Sequence, residues 1–507
     1  MTRFFISLLL LTATTMAEQV SAPRALVGPS PVVVSLDGMS FNKEVLPILQ
    51  RNCQTCHRPG EAAPMSFLTY ESTRPWAKAI KQAVVTRKMP PWFADPGHGS
   101  FRNDPTLTQQ EIDILSAWVD QGSPEGKAED KPKPVQWPSG WRIQPDVVIS
   151  IPEAHVVPAK GSGEIKAFTV PNPFHEDTWV RAIEVRPGNA SVVHHVMVQV
   201  PEDTPAPSFS WGASAAACVA APSASLVQQD FNEGLPASIA NRLNGSPPAP
   251  QVNLPKNFAI LEAVYAPGAP PMDFGIYDSA KLIRGGGDLR IEVHYTPNGT
   301  ATSDQTRIGF TLAKEPPEHR FITLAPKSLA KAGTRIPAGE ANWETRGELE
   351  FGQDAQLVWL MPHMHLRGKD MRFNLVDPNG RSQTVLDAKF NFNWQLGYEM
   401  DNPIRVRRGT RMFVVAHHDN SANNPYNPNP AAEVGWGDLT SEEMVLPWFG
   451  VLVNPDADPE KILSIRQGGC SSGLGSVPIA PLRVPGVSAP IPALPLPTLP
   501  LPTLPGR

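Results

Sequence analysis

The sequence predicts a multidomain chain, in which a small all-α unit is followed by two all-β domains of the antiparallel, jelly-roll-like sandwich type. Three observations predict it. The chain has 507 residues, enough for roughly three domains and for more than one hydrophobic core. Proline supplies 57 of them, about twice the usual share; this disfavours long helices and central parallel strands and suits short strands joined by turns. The texture also changes along the chain, from helical periodicity before about residue 125 to short alternating apolar runs after 140. Charged residues make up 18% and the net charge is −5, which excludes a strongly basic nucleic-acid binder and a highly charged disordered chain. Four cysteines are too few for a disulfide-stapled scaffold.

Arg3 precedes an apolar run over residues 4–11, and Thr15-Met16-Ala17 offers small residues for cleavage. This reads as a secretory signal peptide over 1–17. The run is too short to span a membrane, which takes about 20 apolar residues, and no later stretch approaches that length. The expected mature protein is periplasmic or secreted and has no transmembrane anchor. The all-α unit covers 37–128, with helices expected over 41–51, over 75–88 and from Thr108. Glu111 completes a capping box with Thr108; Ile112, Leu115, Trp118 and Val119 recur at helical spacing, and Gly122 stops the helix.

The β-domains are expected over 140–318 and 319–470. Their apolar runs fall at 147–151, 180–185, 192–200, 289–294, 307–312, 356–361, 371–376 and 412–416, punctuated by turns such as Arg186-Pro187-Gly188-Asn189 and Asp377-Pro378-Asn379-Gly380. Residues 205–250, rich in Ala, Ser and Pro, read as a surface insertion. The tail 471–507 repeats Leu-Pro-Thr-Leu-Pro and reads as a disordered, polyproline-like segment.

Cys53-Gln54-Thr55-Cys56-His57 is a CxxCH pattern. Two thiols at that spacing can form thioethers to one haem c while the adjacent imidazole ligates its iron; the competing reading is a zinc or redox CxxC. Met89, in Lys88-Met89-Pro90-Pro91-Trp92, is the candidate sixth ligand, and Met65 and His98 compete with it. A thioether ligand would raise the potential and favour electron transfer. The segment resembles small class I cytochromes c, especially those with a Met-Pro-Pro-Trp turn.

Twelve histidines are present, and five of them form three compact motifs. These are His194-His195, His294 before Tyr295, and the HxH of His363 and His365. Residues i and i+2 of a strand share a face, so His363 and His365 can grip one metal. Adjacent histidines point oppositely on an ideal strand, so His194 and His195 can share a metal only across a twist or bulge. Imidazoles alone suit zinc, copper, iron or nickel. His417-His418 reads as a strand-end pair satisfied by turns, or for His418 a group behind the metal or against substrate. His175 has a similar status, and His155 and His319 have no motif around them.

The order HH, His-Tyr, HxH and then Glu442-Glu443-Met444 resembles the copper type II, ascorbate-dependent monooxygenases, the family of peptidylglycine α-hydroxylating monooxygenase and dopamine β-hydroxylase. The resemblance covers about 140–455. It is supported by Glu184-Val185-Arg186-Pro187-Gly188, Arg367-Gly368 and Trp436-Gly437. It implies two copper ions: an electron-storing one on His194, His195 and His294, and an oxygen-binding, catalytic one on His363, His365 and Met444. A thioether beside two imidazoles suits Cu(I). Where the peptide-amidating branch has an arginine before its HxH, this chain has Met361. Where that branch has Asn and Tyr after its methionine, this chain has Leu446 and Trp448. A peptide C-terminus is therefore not the expected substrate.

The expected function is an exported copper monooxygenase that hydroxylates a C–H bond of a small organic substrate with O2. Its haem would be fed by an ascorbate-like reductant or a redox protein. The alternative is a non-catalytic haem and copper electron-transfer or copper-binding protein. A zinc hydrolase built on the HxH is a third reading, and it lacks a general base at metalloprotease spacing. Cys218 and Cys470 remain as one candidate bridge.

Overall fold

The structure, a computed structural model, describes residues 36–138, 140–161, 163–200, 258–326, 335–437 and 439–464. The span read as a signal peptide, that read as the 205–250 insertion, Cys218, Cys470 and the 471–507 tail lie outside the described residues. The chain divides into two compact units, one of residues up to Trp92 with Pro105–Trp137 and one of Phe93–Asp104 with the chain from Pro138 onward. Among the described residues, no helix is long and apolar enough to cross a membrane.

The first unit is helical. A wide helical turn, Phe41–Val45, runs into Leu46–Asn52; Ala77–Val85 and Gln109–Asp120 are the other main helices, with a short helix at Tyr70–Thr73. The Thr108–Glu111 capping box forms as the sequence implies: the Glu111 amide donates to Thr108 Oγ1 at 3.2 Å and the Thr108 amide to Glu111 Oε2 at 2.9 Å. Phe41, Leu49, Leu115 and Trp118 are fully enclosed at the centre of the core. Trp118 Nε1 reaches the Pro124 carbonyl at 2.9 Å, so its one polar atom is satisfied.

The second unit is almost entirely β, and its strands stack as sandwiches. A ten-stranded sheet runs Val147–Ser150, Arg307–Leu312, Thr178–Arg186, Ser279–Ile283, His319–Pro326, Val445–Val453, Ala355–Met364, Tyr398–Val406, with Phe258–Ile260 and Met272–Asp273 as side branches. A four-stranded sheet, ordered Glu164–Pro171, Asp288–Tyr295, Val193–Gln199, Ala263–Tyr265, packs through Phe168, Val196, Leu289 and Ile291 onto Val180, Ile183 and Phe310 of the large sheet. A five-stranded sheet, ordered Ser382–Lys389, Gly368–Val376, Arg411–His418, Trp343–Phe351, Leu463–Ser464, faces its other half, where the Phe351 and Phe449 rings lie 6.1 Å apart. Each of the eight apolar runs read from the sequence falls on one of these strands, with Ile151, Val192 and Val200 just beyond the strand ends.

The two halves share one continuous sheet. They are joined where Ser279–Ile283 runs parallel to His319–Pro326. Beside that joint Lys281, 2% exposed, donates to the Glu262 carbonyl at 3.1 Å and to Thr323 Oγ1 at 3.2 Å. The segment Phe93–Asp104 lies within the span read as helical, yet it belongs to this β-rich unit. It bridges Ala94 to Ala388 and Phe101 to Met400, and Phe101 packs edge-on against Tyr398.

Candidate metal centre

Strands Val193–Gln199 and Asp288–Tyr295 pair in regular register from Gln199 opposite Arg290 to His195 opposite His294; the next pair is Val193 with Tyr295. His194 is therefore the extra residue of a β-bulge, the device that can re-aim a side chain out of strict alternation. Its imidazole turns to the side of its neighbour: the Nδ1 atoms of His194 and His195 are 3.0 Å apart. His294 completes the group, with ring centroids 5.0 Å from His194 and 4.8 Å from His195. One ligand atom from each of the three lies within 4.8 Å of the others, and this group could hold a metal ion.

The electrostatics suit a cation. Burial lowers the His194 pKa to about 4. Burial, followed by the proximity of His194 and His363, lowers that of His294 to about 3. His195 lies well below the ordinary value, again chiefly through burial. All three are neutral at pH 7, as metal ligation requires. Nε2 of His194 and Nδ1 of His294 are buried with no hydrogen-bond partner, a cost of about 1–3 kcal/mol each that a metal would offset. The donor set fits a metal that accepts imidazole.

The HxH lies at the end of Ala355–Met364. That strand pairs with Val445–Val453, placing His363 opposite Leu446 and Met364 opposite Val445. The ladder ends at that pair, so His365 directly follows one strand and Met444 directly precedes the other. His363 Nδ1 meets Gln395 Oε1 at 2.5 Å and His365 Nδ1 meets the Glu442 carbonyl at 3.2 Å. Tying Nδ1 of an imidazole to an acceptor leaves Nε2 as the lone-pair atom, the usual arrangement behind a metal-ligating histidine. Burial lowers His363 to about 4 and His365 to about 3.

Glu443 holds this strand end from beneath. Its carboxylate accepts the His365 amide at 3.2 Å and the Arg367 amide at 2.6 Å, and the Arg367 guanidinium stands 3.8 Å away. Burial raises its carboxyl to about 8 against the pull of those donors. Arg367 is itself held by Asn420 Oδ1 at 2.8 Å and the Ser441 carbonyl at 2.9 Å. Two glycines permit the close approaches here: a Cβ at Gly368 would strike the Phe390 ring, and one at Gly437 would strike the Glu442 carboxylate.

The two histidine groups meet. The His195 and His363 rings are 6.0 Å apart, and His363 and His365 are 5.5 Å apart. Phe392 stacks on His194 at 4.7 Å and lies edge-on to His294 at 5.7 Å. The other histidines of this unit lie outside the group. His155 pairs with Glu164 at 2.6 Å, His417 with Asp370 at 2.6 Å and His98 with Asp95 at 3.1 Å; His175 is exposed. His418 is enclosed, with Nε2 3.7 Å from Glu443 Oε2.

In the helical unit, the CxxCH turn follows Leu46–Asn52 directly. The Cys56 and His57 amides both donate to the Cys53 carbonyl, at 3.1 and 2.9 Å, which closes the motif into a tight turn. Neither cysteine is in a disulfide, and burial, with Cys56 and Glu111 nearby, pushes the Cys53 thiol up to about 12. His57 stacks on Phe67 at 4.2 Å, its Nδ1 is buried with no hydrogen-bond partner, and burial lowers its pKa. Two thiols outside any disulfide and one imidazole in a single CxxCH turn are residue types that covalent haem attachment would use. Met89 follows Ala77–Val85, its amide bonded to the Ala83 carbonyl at 3.2 Å; Met65 lies in the same unit and His98 in the other.

Gln395 and Phe392 carry no signal in the sequence, because contacts from a loop to strands far along the chain have no spacing pattern. Glu443 was visible only as part of a motif and had no role.

No family model and no curated protein matches the chain. Among solved structures, a chain from the structure of infectious bursal disease virus Gt strain is similar at 7% identity and a TM-score of 0.14, over 64% of this chain and 77% of that one. A likeness of that size carries no argument.

Proposed function

We propose that the chain is an exported copper-dependent monooxygenase that hydroxylates a C–H bond of a small organic substrate with O2, its electrons relayed through a covalently bound haem c. The observation that carries this reading is the convergence of His194, His195 and His294 through a bulge, in contact with His363 of the HxH. Met444, directly before the strand Val445–Val453 that pairs with the HxH strand, supports a second, softer donor set. When bound, copper supplies one-electron redox chemistry and dioxygen activation, and haem supplies single electrons. The chain's own contribution is to hold neutral imidazoles in fixed tautomers, to keep water from them by burial, and to tether the CxxCH unit so that its effective concentration is high.

Metal analysis with optical and EPR spectra of purified protein tests the reading. One haem and two type 2 coppers per chain, with O2 consumption across a panel of apolar and amine substrates, is the expected result. Zinc at the histidines, or no haem on Cys53 and Cys56, would sink it. Normal turnover of a Cys53→Ser/Cys56→Ser variant with every donor would remove the relay alone.

One observation favours a second reading, a non-catalytic electron carrier. His195, His294, His363 and His365 are no more than 5% exposed, and Phe392 covers His194. Reversible redox at every centre with no substrate-dependent O2 uptake would decide for the carrier.

A further inference from the structure

We propose that the loop 391–397 is a positioning element joining the two histidine groups, with Gln395 fixing the ring tautomer of His363 and Phe392 holding the bulged His194. The inference rests on the metal-binding part of the reading above and not on oxygen chemistry.

The loop connects Ser382–Lys389 to Tyr398–Val406 and is pinned at both ends. The Phe390 amide donates to the Lys369 carbonyl at 2.9 Å, and Asn103 Nδ2 donates to the Gly397 carbonyl at 2.8 Å. Within it, the Trp394 amide closes a turn onto the Asn391 carbonyl at 2.9 Å. Gln395, 3% exposed, points inward. Its Nε2 donates to the Phe392 carbonyl at 3.4 Å, which fixes the amide orientation and leaves Oε1 toward His363. An oxygen there can only accept, so His363 must carry its proton on Nδ1 and present Nε2 bare. The same loop lays the Phe392 ring flat on His194, with an interplanar angle of 19°. That residue is the one skipped in the pairing of its strand with Asp288–Tyr295. One seven-residue segment thus orients a ring in each group.

The test begins with metal-free full-length protein labelled with 15N-histidine. Long-range 1H–15N spectra should show His363, assigned by its loss in His363→Ala, as the Nδ1–H tautomer. Gln395→Leu should move it to a mixture or to Nε2–H, and Gln395→Glu should retain Nδ1–H. Cobalt and copper titrations then read the metal sites. Gln395→Leu should weaken the HxH site by roughly 10- to 100-fold while the three-histidine spectrum stays as in wild type. Phe392→Ala should alter the three-histidine spectrum and admit azide to it. An unchanged tautomer, an unchanged HxH affinity, or no metal binding at the HxH of wild type overturns the proposal. Metal binding with these shifts but without O2 uptake keeps it and removes only the monooxygenase reading.

Discussion

His195 and His363 face each other edge-on at 6.0 Å between ring centroids, although 168 positions separate them in the sequence. One belongs to the four-stranded sheet and the other to the ten-stranded sheet, so the contact is made by sandwich packing and not by any strand register. Metals on the two groups are therefore predicted to sense each other. Protein loaded with Cu(II) at both should show a broadened EPR spectrum of lower intensity than the sum of the spectra of His194→Ala and His363→Ala proteins. A spectrum equal to that sum would place the ions too far apart for the contact described.

Acid should unfold the metal-stripped protein early. His194, His363 and His418 have pKa values lowered from 6.5 to about 4, and His294 and His365 to about 3, all chiefly by burial. The unfolded chain therefore binds more protons than the folded one between those values and 6.5. Stability is fully present above pH 6.5, falls as pH drops through it, and levels off near 3. Each buried imidazole contributes on the order of 3 kcal/mol to that loss, so thermal melts should decline steeply from pH 6.5 to 4. Added zinc or copper should move the decline to lower pH, because the metal binds only the neutral, folded form. A melting temperature flat over that range would contradict the burial of these rings.

Much of this site was legible in the sequence because its donors come in local patterns. The HxH obeys strand alternation, and the run ending at His294 is apolar at every second position, as a half-buried strand should be. The bulge at His194 was legible only as a condition, since two adjacent histidines cannot converge without one. What stayed hidden was set by tertiary packing. Trp343–Phe351 carries Glu344, Arg346, Glu348 and Glu350 on its outer face, which masks its inward Leu349 and Phe351 from an apolar-run search. Gln395 lies in a loop of polar and aromatic residues that has no periodicity, and its partner is fixed only once the loop is pinned at both ends.

Glu443 should separate structural support from metal binding. Glu443→Leu would leave the Arg367 guanidinium, 2% exposed, without its carboxyl partner and would orphan two amides, at a cost of about 1–3 kcal/mol for each group left unpaired. Glu443→Gln keeps one carbonyl acceptor and should cost less than half of that. Urea denaturation of the metal-free variants measures both. If the two variants are equally stable, the carboxylate does not hold the strand end in the way its hydrogen bonds to His365 and Arg367 imply.

Met444 makes the sharpest distinction between metals. If its thioether completes the HxH site, Met444→Ala should weaken Cu(I) there by at least about tenfold while leaving Zn(II) affinity nearly unchanged, because the soft ion gains most from sulfur and the borderline ion is served by the imidazoles. The three-histidine site, which has no sulfur donor among its three residues, should keep its Cu(I) affinity in the same variant. Competition against a chromophoric Cu(I) chelator, read separately in His194→Ala and His363→Ala backgrounds, assigns the loss to one site. Equal loss of Cu(I) and Zn(II) would instead mean that Met444 acts only by packing at the start of Val445–Val453, and the ligand set at His365 would have to be completed by another group.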